Sequence, residues 1–66
     1  METEERAYVV EVKAGPRVDD VGALLAKAEL AGRRLGKPAV PVLAGSYIGR
    51  EVEAYARGKG VLVYAY

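Results

Sequence analysis

The chain has 66 residues, a net charge of +1, and neither cysteine nor histidine. This composition excludes disulfides and metal sites built from thiolates or imidazoles, and the net charge gives no overall attraction to nucleic acid. A domain of this size buries only about 60% of its extended surface, so we expect a second copy or a larger partner to supplement its core.

The sequence predicts a cytoplasmic protein without membrane association. No apolar run approaches the roughly 18 residues needed to span a bilayer, and the first segment, METEER, is too polar for a signal peptide. The chain lacks asparagine and glutamine and is rich in alanine, valine, glutamate and arginine, which is typical of thermophilic proteins.

The first predicted element is a strand. Residues 1–6 have no apolar pattern and are expected to fray, whereas the next segment, AYVVEVKA, is β-branched and aromatic. Because side chains alternate across a strand, Glu11 and Lys13 share one face. The opposite face carries Tyr8, Val10 and Val12.

The second predicted element is an amphipathic helix. Asp19 or Asp20 can cap its start, because a short carboxylate accepts hydrogen bonds from free N–H groups there. Gly36 is placed to end it. Apolar residues recur between these limits at helical spacing, namely Val21, Leu24, Leu25, Ala28, Ala31 and Leu35.

Two strands and a second helix complete the pattern. PAVPVLAG is a short apolar run, Ser46 is expected to cap the helix that follows, and VLVYAY closes the chain. Strands and helices thus alternate as β-α-β-α-β. This order predicts a single α/β domain over residues 1–66 with a three-stranded, mainly parallel sheet.

The strand order stays open between two arrangements. In the order 1-2-3, right-handed crossovers place both helices on one face and leave the other face bare, which favours self-association. In the order 2-1-3, the helices cover both faces, and Pro41 lies on an edge strand that tolerates its missing N–H.

Glu11 and Lys13 are the residues best suited to chemistry. Glu11 could ligate Mg²⁺, which prefers oxygen ligands, and Lys13 could orient the attacking water or neutralise charge at a phosphate. A phosphodiesterase site needs a second acid, however. A structural or solvent-facing ion pair is the alternative interpretation of the two charges.

Other polar segments are weaker candidates for binding. GSYIG, residues 45–49, joins a strand to a helix start and could hold an anion, or it could be an ordinary turn. Some basic residues could form a strip for the phosphates of a nucleic acid, although they could equally be a solvated surface. They are Arg17, Lys27, Arg33, Arg34, Lys37 and Arg50.

From residue 7 to residue 66 the chain resembles the C-terminal half of the PD-(D/E)XK nuclease superfamily, and within it an archaeal group of uncharacterised domains. The resemblance rests on the order of elements and on Glu11-Val12-Lys13. It implies a restriction-endonuclease-like core. Glu11 would match the metal-binding acid of that motif, Lys13 the catalytic lysine, and Glu29 a polar residue on the following helix that touches the site in many relatives.

The chain departs from this family at one catalytic position. The Asp that precedes the motif in the family has no counterpart, since only ten residues come before Glu11. The chain would then be the C-terminal half of a nuclease or a reduced descendant. We expect a nuclease-like module that is inactive alone and acts as a homodimer or in a larger assembly, with the open edge of strand 1 filled by another copy. The alternative is a Mg²⁺-dependent nuclease, or half of one, that cuts DNA or RNA.

Overall fold

A computed structural model describes all 66 residues. The elements follow the order β1 (Ala7–Ala14), α1 (Val18–Leu35), β2 (Ala39–Ser46), α2 (Arg50–Gly58) and β3 (Leu62–Ala65). The three strands form one parallel sheet in the order β1-β2-β3. The predicted α/β fold is confirmed, and the sheet has the first of the two strand orders considered.

The ends of the helices follow local backbone chemistry. Asp20 Oδ2 accepts a hydrogen bond of 2.7 Å from the N–H of Arg17, so this aspartate caps α1 from within its first turn. Gly36 ends α1 in the left-handed conformation, as predicted. The prediction for α2 was wrong, because Ser46 belongs to β2 and Gly49 is the N-cap residue.

Pro41 is accommodated in the central strand by the short length of β3. Tyr66 N–H donates to Gly45 O, which shows that odd-numbered residues of β2 direct their backbone groups toward β3. However, β3 pairs only with residues 42–45. The missing N–H of Pro41 therefore lies just before this ladder begins, where proline removes no inter-strand bond.

The core lies between the sheet and the two helices, which pack against the same face and contact each other. Leu24 of α1 and Leu43 of β2 are fully buried at its centre. Burial of apolar surface at this interface is the main source of stability. The buried cluster comprises Val21, Leu24, Leu43, Ala56, Val61 and Val63.

The opposite face of the sheet has no helix over it. We call it the helix-free face. By the pairing register and the alternation of the strands, its residues are Tyr8, Val10, Val12, Val40, Val42, Ala44, Leu62 and Tyr64. Val12 is 64% exposed and Tyr64 is 60% exposed. The bare face expected for the order 1-2-3 is thus the one with the tyrosines and valines.

Residues 1–6, where the sequence predicts fraying, turn back onto the outer edge of β1. The N–H of Tyr8 donates to Met1 O at 2.5 Å, and the Met1 ammonium donates to Tyr8 O at 2.8 Å. Lys37 pairs with Glu2 at 2.5 Å. This turn covers only the first part of that edge. Neither helix of the chain has the length and apolar character needed to cross a bilayer.

Candidate functional site

Glu11 and Lys13 project from β1 on the face covered by α1. Glu11 Oε1 accepts a hydrogen bond of 3.1 Å from Lys27 Nζ, and Lys13 Nζ donates one of 2.6 Å to Asp20 Oδ1. The Glu11 and Lys13 side chains remain 34% and 47% exposed. Each charge of the strand therefore has a partner of opposite sign on the helix and still reaches solvent.

Asp20 joins this pair to the start of α1. Its pKa is lowered first by the hydrogen bond from the Lys13 ammonium and then by the bond from the N–H of Arg17, because both donors favour the charged carboxylate. One carboxylate thus links the charge on β1 to the cap of α1.

The lowered pKa of Asp20 predicts a loss of stability in acid. A group with a depressed folded-state pKa stabilises the fold above its unfolded value, here near 3.8, and that contribution disappears as the pH falls through the folded value. We expect the urea concentration at the midpoint of unfolding to decrease as the pH drops below about 4. In Asp20→Asn this decrease should be smaller. Asp19→Asn, at an exposed neighbouring position, should retain it. An equal loss of stability in acid for both variants would contradict the role given to Asp20.

The acidic residues do not match a Mg²⁺ site. Mg²⁺ requires near-octahedral oxygen ligands and usually takes more than one carboxylate. Here both oxygens of Asp20 accept hydrogen bonds and Glu11 is engaged by Lys27. No group of three acidic, histidine or cysteine side chains is placed to hold a metal ion.

Glu29 lies apart from Glu11 and Lys13. It pairs with Arg33, one turn further along α1, at 2.7 Å. Lys27 reaches Glu11, and two residues of a helix turn through about 200°, so Glu29 points to the other side of α1. The structure brings together Glu11, Lys13 and Asp20 but not Glu29.

The anion and phosphate candidates find little support in the contacts. The GSYIG segment ends β2 and leads into α2 through Tyr47, which has a φ of 53° and is 89% exposed. Of the six basic residues that could form a strip, three are paired with acids. These three are Lys27, Arg33 and Lys37.

One groove lies on the outer flank of α1. It is open, has a volume of about 410 Å³ and is lined by one helix alone, with two cations and no acid or nucleophile. Leu30 and Leu35 form a second apolar stripe beside the core stripe of α1. Leu35 was predicted to belong to the core stripe and is instead 43% exposed. The lining residues of the groove are Lys27, Leu30, Ala31, Arg34 and Leu35.

The outer edge of β1 is open beyond the N-terminal turn. The N–H groups of Ala7 and Gly15 donate to Pro38 O and Ser46 O at the β2 side, so odd-numbered residues of β1 face β2. Even-numbered residues face outward, as the bonds between Tyr8 and Met1 confirm. The backbone groups of Val10, Val12 and Ala14 therefore have no strand partner, and we call these three residues the β1 edge.

The edge at β3 differs from the β1 edge. This strand has four residues, and Arg57 Nη2 donates to the outward C=O of Val63 at 3.4 Å. Short length and a covering charge are two ways in which proteins protect a sheet edge. The β1 edge has neither protection.

Comparisons of the chain with protein-family models, curated proteins and solved structures found no match.

Proposed function

We propose that this chain is a reduced, nuclease-like module that functions by self-association in the cytoplasm. The observation that carries the proposal is the helix-free face, where exposed apolar side chains of β1 and β3 flank the less exposed residues of β2. Contiguous apolar surface of this kind marks an interaction site. Burying this face would also stabilise the fold, because a 66-residue chain has only a small core of its own.

The nuclease-like ancestry rests on two supporting features. The parallel β-α-β-α-β order agrees with the resemblance, and Glu11 and Lys13 project side by side from β1. The other carboxylate that contacts this pair, Asp20, is bound by Lys13 and by the N–H of Arg17. The residues that remain compensate each other's charge, which suits a module that acts through binding.

The alternative proposal is a Mg²⁺-dependent nuclease that cleaves DNA or RNA with Glu11 and Lys13. It would need another carboxylate beside Glu11, and Lys27 and Asp20 would have to release their partners. The contacts favour the association module over this alternative.

The helix-free face of one chain is too small for a stable interface by itself. Three strands spaced about 4.8 Å apart, with about 20 Å of paired length, give a face of roughly 300 Å². A standard protein interface buries about 800 Å² on each partner. We therefore expect an assembly in which sheets first join edge to edge and the enlarged faces then stack.

Sedimentation velocity tests the burial of this face. Between about 5 and 200 μM, a range that spans the affinity of moderate interfaces, the wild-type chain should sediment as a species heavier than 7.1 kDa. Tyr64→Lys should reduce the average mass, because an ammonium would be buried between stacked faces. Tyr47→Lys, at an exposed loop position off the face, is the matched control and should behave like wild type. An unchanged mass for Tyr64→Lys would show that the face is not buried.

A further inference from the structure

We propose that assembly begins when β1 pairs antiparallel with β1 of a second copy. The two-fold axis of this pair lies midway between the two Val12 residues, which are directly opposite each other. This inference rests on the proposed self-association and specifies its register. Two-fold symmetry requires the two identical strands to be antiparallel. The proposed occupant of the β1 edge is thus another copy of this chain.

The N-terminal turn limits the register. Both backbone groups of Tyr8 are bonded to Met1, so a second strand can pair only with the β1 edge. With Val12 on the axis, Val10 lies opposite Ala14 of the second copy, and the three residues of each edge exchange six hydrogen bonds. Tyr8 then faces the second copy's Pro16, which has no N–H to donate.

The charges select the same register. In an antiparallel pair about Val12, Glu11 lies opposite Lys13 of the second copy, and Lys13 lies opposite its Glu11. Shifting the axis to Glu11 places two glutamates opposite each other, and shifting it to Lys13 places two lysines opposite each other. Like charges directly opposite destabilise a sheet, whereas opposite charges stabilise it. The Glu-Val-Lys segment is therefore complementary to itself in one register alone.

The charges on α1 extend this complementarity. Glu11 already contacts Lys27, and Lys13 already contacts Asp20. Across the proposed axis these pairs join into an alternating row, from Lys27 through Glu11 to Lys13 and Asp20 of the second copy. The residues opposite each other are a non-hydrogen-bonded pair, with Cα atoms about 4.5 Å apart, which brings the two charges within reach. The partial exposure of Glu11 and Lys13 leaves both free to make the contact.

The dimer has a single continuous sheet of six strands. Its two outer edges are the short β3 strands, each with its outward C=O at Val63 covered by Arg57. The two helix-free faces merge into one surface of twice the area. Edge pairing therefore removes the open edge and provides the larger face that stacking requires.

Charge reversal tests the register. In a dimer of Glu11→Lys, or in a dimer of Lys13→Glu, residue 11 of each copy faces a like charge at residue 13 of the other. Each variant alone should therefore stay monomeric at concentrations where wild type associates. Mixed in equal amounts, the two variants restore opposite charges at both positions and should form a two-chain species. The contacts within each chain are the same alone and mixed, so recovery on mixing reports only contacts between chains. Far-UV circular dichroism verifies that both variants fold.

A control pair separates the register from net charge. Each reversal shifts the net charge of +1 by two, to +3 or −1. Glu51→Lys and Lys59→Glu produce the same two net charges. Glu51 lies in α2 and Lys59 directly follows it, and both are exposed and away from β1. Each of these should self-associate like wild type without mixing.

Disulfide trapping tests the axis without any change of charge. Hydrogen-bonded antiparallel pairs have Cα atoms about 5.5 Å apart, within the range that a disulfide bridges. Val12→Cys should therefore oxidise to a covalent dimer, and the chain has no other cysteine. In Val10→Cys the two thiols would lie about 14 Å apart along the strands and should not cross-link under the same conditions.

The outcomes distinguish the inference from the proposed function. A wild-type chain that remains monomeric overturns both. A wild-type chain that associates, with reversed variants that associate equally well alone or fail to recover on mixing, overturns the register alone. Equal cross-linking of Val10→Cys and Val12→Cys would also overturn it.

Discussion

Gly45→Ala is expected to destabilise the protein by at least about 3 kcal/mol, which is enough to unfold much of a domain this small. A Cβ at this position would lie 2.2 Å from the carbonyl oxygen of Lys13 and 3.5 Å from Ile48 Cδ1. The nearer atom is backbone in the paired strand and cannot move aside as a side chain could. Gly45 lies directly opposite Lys13 in the β1–β2 ladder, so the strands would have to separate.

Thermal unfolding followed by circular dichroism measures this effect. Gly22→Ala is the matched control, because a Cβ at Gly22 meets no atom within 4 Å. An alanine inside α1 should stabilise the fold by about 0.5–1 kcal/mol. A Gly45→Ala protein that melts within a few degrees of wild type would show that β1 and β2 do not approach as closely as described.

Val12→Pro is expected to abolish assembly while leaving the monomer folded. The N–H of Val12 points outward from the β1 edge, so proline removes no bond within the chain. In the proposed dimer, the same change deletes both hydrogen bonds that cross the two-fold axis and puts two proline rings against each other. The dissociation constant should increase by at least about a hundredfold, since two lost bonds and a steric clash together exceed about 3 kcal/mol.

Glu11→Pro is the control for Val12→Pro. The N–H of Glu11 faces β2, so proline there removes a bond of the ladder and should unfold the chain. If Val12→Pro stays folded and associates like wild type, the β1 edge is not the contact. If both unfold, Val12 is bonded within the chain and the edge is not open.

The fold could largely be predicted from the sequence because its elements have strong local patterns. AYVVEVKA coincides with β1, and the helical spacing of apolar residues places the core side of α1 correctly at Val21, Leu24 and Ala28. The strand order could not be predicted, since both arrangements require the same alternation of elements. Pro41 has no N–H to donate, which favoured an edge position for its strand. The central position is possible because β3 pairs only with residues 42–45 and needs no bond from residue 41.

The candidate site was predicted in part. Alternation in a strand placed Glu11 and Lys13 on one face, but not the partners that α1 supplies from 7 and 16 residues away. Those contacts depend on how the helix packs on the sheet. Asp19 or Asp20 was predicted to cap α1, and the structure gives this role to Asp20, three residues after the N-cap residue Arg17. The second role of Asp20, as the partner of Lys13, has no local sequence signal. Glu29 was placed near the site from family resemblance alone, and its turn of the helix directs it elsewhere.

Sedimentation equilibrium of wild type beside Val12→Pro tests the central claim, self-association through the β1 edge, most directly. The wild-type chain should show a mass of at least twice 7.1 kDa at about 100 μM, and Val12→Pro should show 7.1 kDa while retaining its circular dichroism spectrum. A wild-type mass of 7.1 kDa at that concentration, or equal masses for the two folded proteins, would contradict the claim.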